Sequence, residues 1–409
     1  MKIRRDYTQP FFRQPKRHPI RNMFIAAALG LLLGLAILAV EGDLWQWNAL
    51  EGIVQTFAGN PATPTPGPAE LAARAAALYR DGASDGAEAL LATAVAQEPN
   101  NAAFLFERGR ALIELGRVDE AHELGAAITA IEARDARGFA LKAAAFVWAG
   151  EAAKAIPIAL SGLELNPRFL PLYASLARAY VDEERWADGL EAGERGLSIS
   201  GDDAELNRAY AYALQSVGSY SDAIAYLQRA IDLRPSYLPT HFELAGLFLA
   251  RDEDQSAIDL YDHILALDPS NARAMLRLCL AYRKVGEFAR ALGFCEDSVA
   301  NDSSDPEAQF HLGLLYYRER RFEQSRDTFR QCLAHDEGAY DLSCRYRLGL
   351  SHYYTGNCAV GWTLLRDSLD LARAGGDETT LGNILQGLDA IEADPKCIDD
   401  AAEPISFQD

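Results

Sequence analysis

Six cysteines, Cys279, Cys295, Cys332, Cys344, Cys358 and Cys397, all fall in the last third of a 409-residue chain. No two are spaced C-x-x-C, which removes zinc-ribbon and thioredoxin-like chemistry. An even count points to disulfides, with fifteen pairings open in principle. The alternative is six buried free thiols, since cysteine tolerates small core positions. The seven histidines are scattered singly, and no G-x-x-x-x-G-K-[ST], H-E-x-x-H, G-x-S-x-G or calcium-loop pattern occurs. Carboxylates are plentiful but read as solvated helical surface. Asn301-Asp302-Ser303 is a glycosylation sequon. We expect no catalytic, cofactor or metal site, which leaves recognition as the available chemistry.

The charge balance divides the chain. Lys and Arg number 39 against 59 Asp and Glu, a net of −20, which argues against nucleic acid as a partner because phosphate backbones need a basic face. Residues 1–22 hold seven basic side chains and one acid, so this segment is +6 and the rest is −26. Between the regimes Met23–Val40 carries no charge. Its length of about 27 Å at about 1.5 Å per residue matches a hydrocarbon core of about 30 Å, so one transmembrane helix is expected over 23–40. No A-x-A site follows, which favours a retained anchor over a cleaved signal. The positive-inside rule then places 1–22 in the cytoplasm and the remainder on the extracytoplasmic side. Ala26, Gly30 and Gly34 form a small-residue stripe that offers an interface for a homodimer through this helix. The juxtamembrane segment 41–67 ends in a proline-rich spacer that stands the rest of the chain off the bilayer.

Beyond the spacer the chain is repetitive. A 34-residue frame beginning at Pro68 runs eight times without a gap to Ala339, and a ninth unit begins at Leu342. The eighth position is always small (Ala75, Gly109, Ala143, Ala177, Ala211, Ala245, Cys279, Gly313, Gly349), and so is the twentieth (Ala87 through Gly361). The eleventh is mostly large, as at Leu78, Phe146, Tyr180 and Tyr316, and turn glycines recur at Gly82, Gly116, Gly150, Gly218, Gly286 and Gly356. Each unit therefore reads as two helices that cross closely at the small residues. Neither helix buries its apolar stripe alone, so the units must stack.

The segment resembles a tetratricopeptide-repeat array in period, small-residue pair, aromatic position and closing prolines (Pro99, Pro167, Pro235, Pro269). The expected fold is all-α: a right-handed α-solenoid of about nine helical hairpins over 68–375, with a capping helix and acidic tail over 376–409, preceded by the transmembrane helix. Asp377 is placed to cap the last helix, which runs to about Ala393. Gly125 and Gly193 stand where a large residue is usual, so units two to four are expected to be the loosest. Hairpin geometry narrows the cysteine pairings to 279–295, 332–344 and 358–397, each pair level across adjoining helices.

The resemblance implies a concave groove lined by the first helix of each unit, which holds an extended peptide or a partner helix. Its early positions are bland (Ala72, Ala76, Ala140, Ala144, Ala174). The later ones offer Arg273, Arg277, Arg283, Lys284, Arg318 and Arg347 interleaved with Phe242, Phe310, Tyr317, Tyr346, Tyr353 and Tyr354. Arginine binds carboxylates bidentately and tyrosine supplies rigid contact area, so units six to nine are expected to bind an acidic segment of another protein. The alternative is that these arginines pair with the chain's own acids. The Lys and Asn by which some relatives clamp a C-terminal carboxylate are replaced in the first unit by Ala72 and Ala76, so that mode is not expected. The functional expectation is a non-enzymatic, membrane-tethered scaffold. The competing reading is an accessory subunit that recruits an enzyme of an envelope-polysaccharide or secretion system.

Overall fold

The computed structural model describes residues 66–336 and 338–399. The expected cytoplasmic segment, the transmembrane helix over 23–40 with its dimer stripe, nearly all of the spacer and the tail beyond 399 lie outside the described residues. Among the described residues, no helix is long and apolar enough to cross a membrane.

Twenty helices and no strands make up this part. They are α1 (Pro68–Arg80), α2 (Ser84–Gln97), α3 (Ala102–Glu114), α4 (Val118–Ile131), α5 (Ala136–Trp148), α6 (Ala152–Leu165), α7 (Leu170–Asp182), α8 (Trp186–Ile199), α9 (Ala204–Ser216), α10 (Tyr220–Leu233), α11 (Leu238–Ala250), α12 (Asp254–Leu267), α13 (Ala272–Lys284), α14 (Phe288–Asn301), α15 (Pro306–Arg318), α16 (Phe322–His335), α17 (Asp341–Tyr354), α18 (Cys358–Gly375), α19 (Glu378–Ala393) and α20 (Pro395–Asp399). Odd and even members pair into nine hairpins, and α19 closes the stack. Through α16 the first helix of each hairpin has 13 residues and the second has 14, so the 34-residue sequence period is also the structural one.

Local chemistry sets each boundary. The last position of a unit caps the next first helix: Asn101, Asp135, Asp203, Asn271 and Asp305 each accept a hydrogen bond from a first-turn amide. Asp377 does the same for α19 through the Thr380 amide. Inside each hairpin the sixteenth amide donates to the eleventh carbonyl, as in Ala83 N–H to Leu78 O at 2.9 Å and Glu287 N–H to Tyr282 O at 2.9 Å. That closure puts the fifteenth residue in the left-handed region, which glycine enters without a Cβ clash. Gly82, Gly116, Gly150, Gly218, Gly286 and Gly356 hold φ of 73 to 86° there, and where the pattern lacks glycine Glu184, Asp252 and Arg320 are forced to 59, 59 and 60°.

The small residues at positions eight and twenty lie where the helices cross. Ala75, Ala87, Ala143, Ala155, Ala245 and Ala257 have no exposed surface, and a Cβ at Gly349 or Gly361 would meet the other's carbonyl oxygen at 3.0 or 2.8 Å. The expectation that units two to four are loose is corrected. A Cβ on Gly125 would lie 2.9 Å from the Gly138 carbonyl oxygen, one on Gly138 would lie 2.8 Å from the Gly125 carbonyl oxygen, and the Tyr210 ring fills the space over Gly193. These glycines let neighbouring helices approach almost backbone to backbone, so the missing side chains mark close packing.

The three disulfides 279–295, 332–344 and 358–397 are formed, with Cα separations of 5.3, 6.4 and 5.4 Å. The first ties α13 to α14 within a hairpin, the second ties α16 to α17 across a unit boundary, and the third fixes α20 to the start of α18.

Candidate partner-binding groove

The two ends of the array treat their inner faces differently. The first five hairpins curl until the turn of the first meets the end of the fifth. Arg234, at the C-terminus of α10, donates to Glu114 Oε1 at 2.6 Å and to the Tyr79 carbonyl oxygen at 2.5 Å. Its guanidinium lies between the Tyr79 and Tyr237 rings, 4.1 Å from each centroid. The Arg234 and Glu114 side chains are only 9 and 10% exposed, and Ser84 donates a further hydrogen bond to Glu114 at 2.5 Å. The backbones touch as well: a Cβ on Gly82 would lie 2.5 Å from the Ser236 carbonyl oxygen.

The inner face behind this latch is electrostatically self-contained. Arg110 pairs with Glu107 at 3.1 Å, Arg178 with Glu205 at 4.0 Å, and Arg208 with both Glu205 and Glu243 at 2.6 Å. Burial works against the charged forms of Arg110 and Arg208, yet the surrounding acids and tyrosines hold both guanidinium pKa values above their ordinary range. A cavity of about 70 Å³ remains there, lined by Tyr79, Arg110, Glu114, Trp148, Arg178 and Tyr237 among others.

The later hairpins present a different surface. Of the six basic residues named from sequence, two are neutralised internally. Arg277 pairs with Glu307 at 3.1 Å, and Lys284 pairs with Asp252 and Asp254 at 2.9 and 2.8 Å. The other four have no carboxylate within 4.0 Å among the described residues. Arg273 rests on the Phe242 ring at 4.5 Å and Arg318 stacks over Phe288. Arg347 lies 4.4 Å from the Tyr346 ring and 5.3 Å from Phe310. Arg283 donates to His311 Nδ1 at 2.7 Å. Burial, unrelieved by any acid, lowers the pKa of both Arg283 and Arg347. Burial together with Arg283, Arg277 and Arg347 pushes the His311 pKa down to about 3, so its ring is neutral and accepts from Arg283.

The aromatic residues divide into floor and wall. Tyr346 is buried and Phe310 half-buried, and both belong to core clusters. Phe242 packs against Tyr261 at 5.9 Å. Tyr354 stacks on Phe322 at 4.4 Å, sits 5.8 Å from Tyr317 and stays half-exposed. Tyr353 donates to Asp394 at 3.1 Å. Two half-open pockets flank this stretch. One of about 380 Å³ opens where the closed turn ends, beside Phe242 and Arg273, and one of about 420 Å³ lies between α17 and α19 around Arg347.

Sequence reasoning missed His311, the α19 residues Asn383 and Gln386, and the Arg234 latch. One signal for the latch is visible: the thirty-first position of the other units is acidic, polar or alanine (Glu98, Glu132, Asn166, Ser200, Asp268, Asp302, Asp336, Ala372), and only the fifth carries a base.

A tetratricopeptide-repeat family model matches residues 78–145 and 214–279, and a second one matches 276–341. The chain carries tetratricopeptide repeats. Over 196 residues it is 23% identical to the general transcriptional corepressor ssn6 of Schizosaccharomyces pombe (strain 972 / ATCC 24843), covering 44% of this chain and 18% of that protein. Over 158 residues it is 21% identical to the TPR repeat-containing protein YpiA of Bacillus subtilis (strain 168), covering 39 and 34%. The chain thus spans at most about a third of these relatives. Among solved structures, a chain of the APC/C hetero-tetramer Cut9–Hcn1 superposes with a TM-score of 0.54 at 15% identity, over 69% of this chain and 55% of that one. That likeness concerns the fold alone. No catalytic family accompanies these matches, and proteins built from such repeats bind peptides or other proteins.

Proposed function

We propose that this tetratricopeptide-repeat array is a protein-interaction scaffold whose contact surface is the inner face of the later hairpins, and that its partner offers an acidic segment. The observation that carries the reading is that Arg273, Arg283, Arg318 and Arg347 have no carboxylate within 4.0 Å among the described residues, in a chain of net −20 whose early inner-face arginines Arg110, Arg178, Arg208 and Arg234 are met by internal acids. Arg283 and Arg347 are half-buried, where a cation without a counter-charge is unfavourable and an incoming carboxylate relieves it, while Arg273 and Arg318 are exposed and add to the local positive potential. The aromatic walls supply area that orders little on binding. The scaffold is tethered by the apolar run over 23–40 and works on the extracytoplasmic side. Three disulfides support that side, since such bonds persist in oxidising compartments.

Selection of a random displayed dodecapeptide library on the full-length oxidised chain tests the reading. It predicts enrichment of Asp and Glu, lost on the triple reversal Arg273→Glu/Arg283→Glu/Arg347→Glu. Equal enrichment on the reversed protein contradicts it. A reporter fused after Pro68 tests the side of the membrane.

A further inference from the structure

Among the described residues, two groove pockets hold an arginine without a carboxylate partner: the one beside Arg273 is also lined by Glu114 and Glu243, whereas the one between α17 and α19 is not lined by any acid. Its volume is about 420 Å³, and Leu314, Leu350, Tyr317, Tyr354 and Asn383 stand around Arg347. Arg347 donates only to the Ser343 carbonyl oxygen, at 3.3 Å, and to Tyr346. No carboxylate lines the pocket among the described residues. A glycine lets α19 come this close: a Cβ on Gly387 would lie 2.7 Å from Leu350 Cδ2. The Cys358–Cys397 bond and the Tyr353–Asp394 hydrogen bond both tie the C-terminal end of α19 to the α17–α18 turn, so that end of the pocket is held before any ligand arrives.

We propose that this pocket is a side-chain subsite for a glutamate or aspartate flanked by a large apolar residue in an extended partner segment. This rests on the groove reading above and gives it a register. Arg347 holds the carboxylate, Asn383 and the tyrosine hydroxyls surround it, and Leu314 and Leu350 take the apolar neighbour. The pairing follows from the lining: a carboxylate without apolar company leaves the leucines wet, and an apolar residue without a carboxylate leaves Arg347 unmatched. It differs from carboxylate clamping by Lys and Asn of a first unit, because the cation comes from the ninth hairpin and the opposite wall from the capping helix.

The test uses the full-length oxidised chain in detergent and two fluorescein-labelled hexapeptides, Ser-Leu-Glu-Leu-Glu-Ser and Ser-Leu-Gln-Leu-Gln-Ser, followed by anisotropy at low salt. The wild type is expected to prefer the glutamate probe by about tenfold. Arg347→Gln is expected to reduce that ratio below about threefold, Arg347→Lys to retain part of it, and Arg277→Gln to leave it nearly unchanged because Glu307 already meets Arg277. Circular dichroism and non-reducing gels check that the variants fold. Independently of any variant, a 3-fluorotyrosine at Tyr354 should shift its fluorine resonance with the glutamate probe and not with the glutamine probe. Undiminished discrimination by Arg347→Gln, or a silent fluorine signal despite binding, overturns the subsite and leaves the groove reading standing. A wild type that does not distinguish the two probes overturns both.

Discussion

In hairpins one to five the inner-face arginines Arg110, Arg178, Arg208 and Arg234 meet carboxylates of the same chain, and Arg234 closes the curl on itself across 120 and 155 residues. In hairpins six to nine Arg277 and Lys284 are paired, but Arg273, Arg318 and Arg347 lie on aromatic rings with no carboxylate within 4.0 Å among the described residues, and three disulfides secure this half of the chain. One repeat geometry therefore supports two electrostatic outcomes. Where charge is used up internally it becomes tertiary structure. Where covalent bonds hold the stack, charge is left available on the surface. Solenoid stability is a sum of unit and neighbour terms, so each end can be secured by its own means.

The largest expected effect breaks the early half. Arg234→Met leaves Glu114 buried without its counter-charge, which should destabilise the first hairpins by about 3–5 kcal/mol. Hydrogen exchange over residues 68–131 reads this, and adding Glu114→Leu should restore much of the protection. If Arg234→Met leaves exchange there unchanged, the latch is ornamental.

Reduction addresses the late half. Loss of each bridge should remove about 2–4 kcal/mol from hairpins seven to nine and the capping helix. Exchange over residues 68–233, which contain no cysteine, should stay the same. Uniform loosening along the array would show that the halves are not secured separately.

A smaller effect comes from His311. Its pKa is about 3 when folded, against about 6.5 in the unfolded chain, so below pH 6.5 the unfolded state binds the extra proton. Stability contributed by the neutral ring is full above pH 6.5 and is lost as pH falls toward 3. Between pH 6.5 and 4.5 the wild type should lose about 2 kcal/mol more than His311→Gln, measured by urea denaturation of the oxidised protein. Parallel pH profiles would mean that burial and the neighbouring arginines do not hold this ring neutral.

The smallest effect concerns the turns shared by both halves. Glu184→Gly and Arg320→Gly relieve the left-handed strain at positions where six other units already use glycine. Each should stabilise by about 0.5 kcal/mol, the steric gain being partly offset by greater freedom of the unfolded chain. A loss at either site would mean its side chain contributes more than the turn does.

The fold was legible because it is written locally. A period of 34, a small residue at each crossing, glycine at each turn and an Asp or Asn before most first helices are short-range signals, and the hairpin they imply was sufficient to pair all six cysteines. The groove was legible only in part. The frame located Arg347 and Tyr354, but whether an arginine is free depends on the acid opposite it on the next first helix: Glu307 lies 30 positions from Arg277 and meets it at 3.1 Å, a contact the frame alone does not give. Gly125 and Gly193 misled for the same reason, since a missing side chain reads as looseness until the neighbouring backbone is seen to fill the space. The latch depends on how far each unit rotates on the last, a long-range quantity that five units must accumulate before Tyr79 meets Arg234.

The closed early turn is tested most directly by a distance. Spin labels on cysteines replacing exposed Arg80 and Asp232 report the gap between the first and fifth hairpins by pulsed electron paramagnetic resonance, with the native cysteines held in disulfides. A closed turn predicts one short, narrow distribution in the otherwise native chain, and a longer, broader one in Arg234→Met. A broad distribution in the native chain, or a narrow one that Arg234→Met leaves in place, would contradict it.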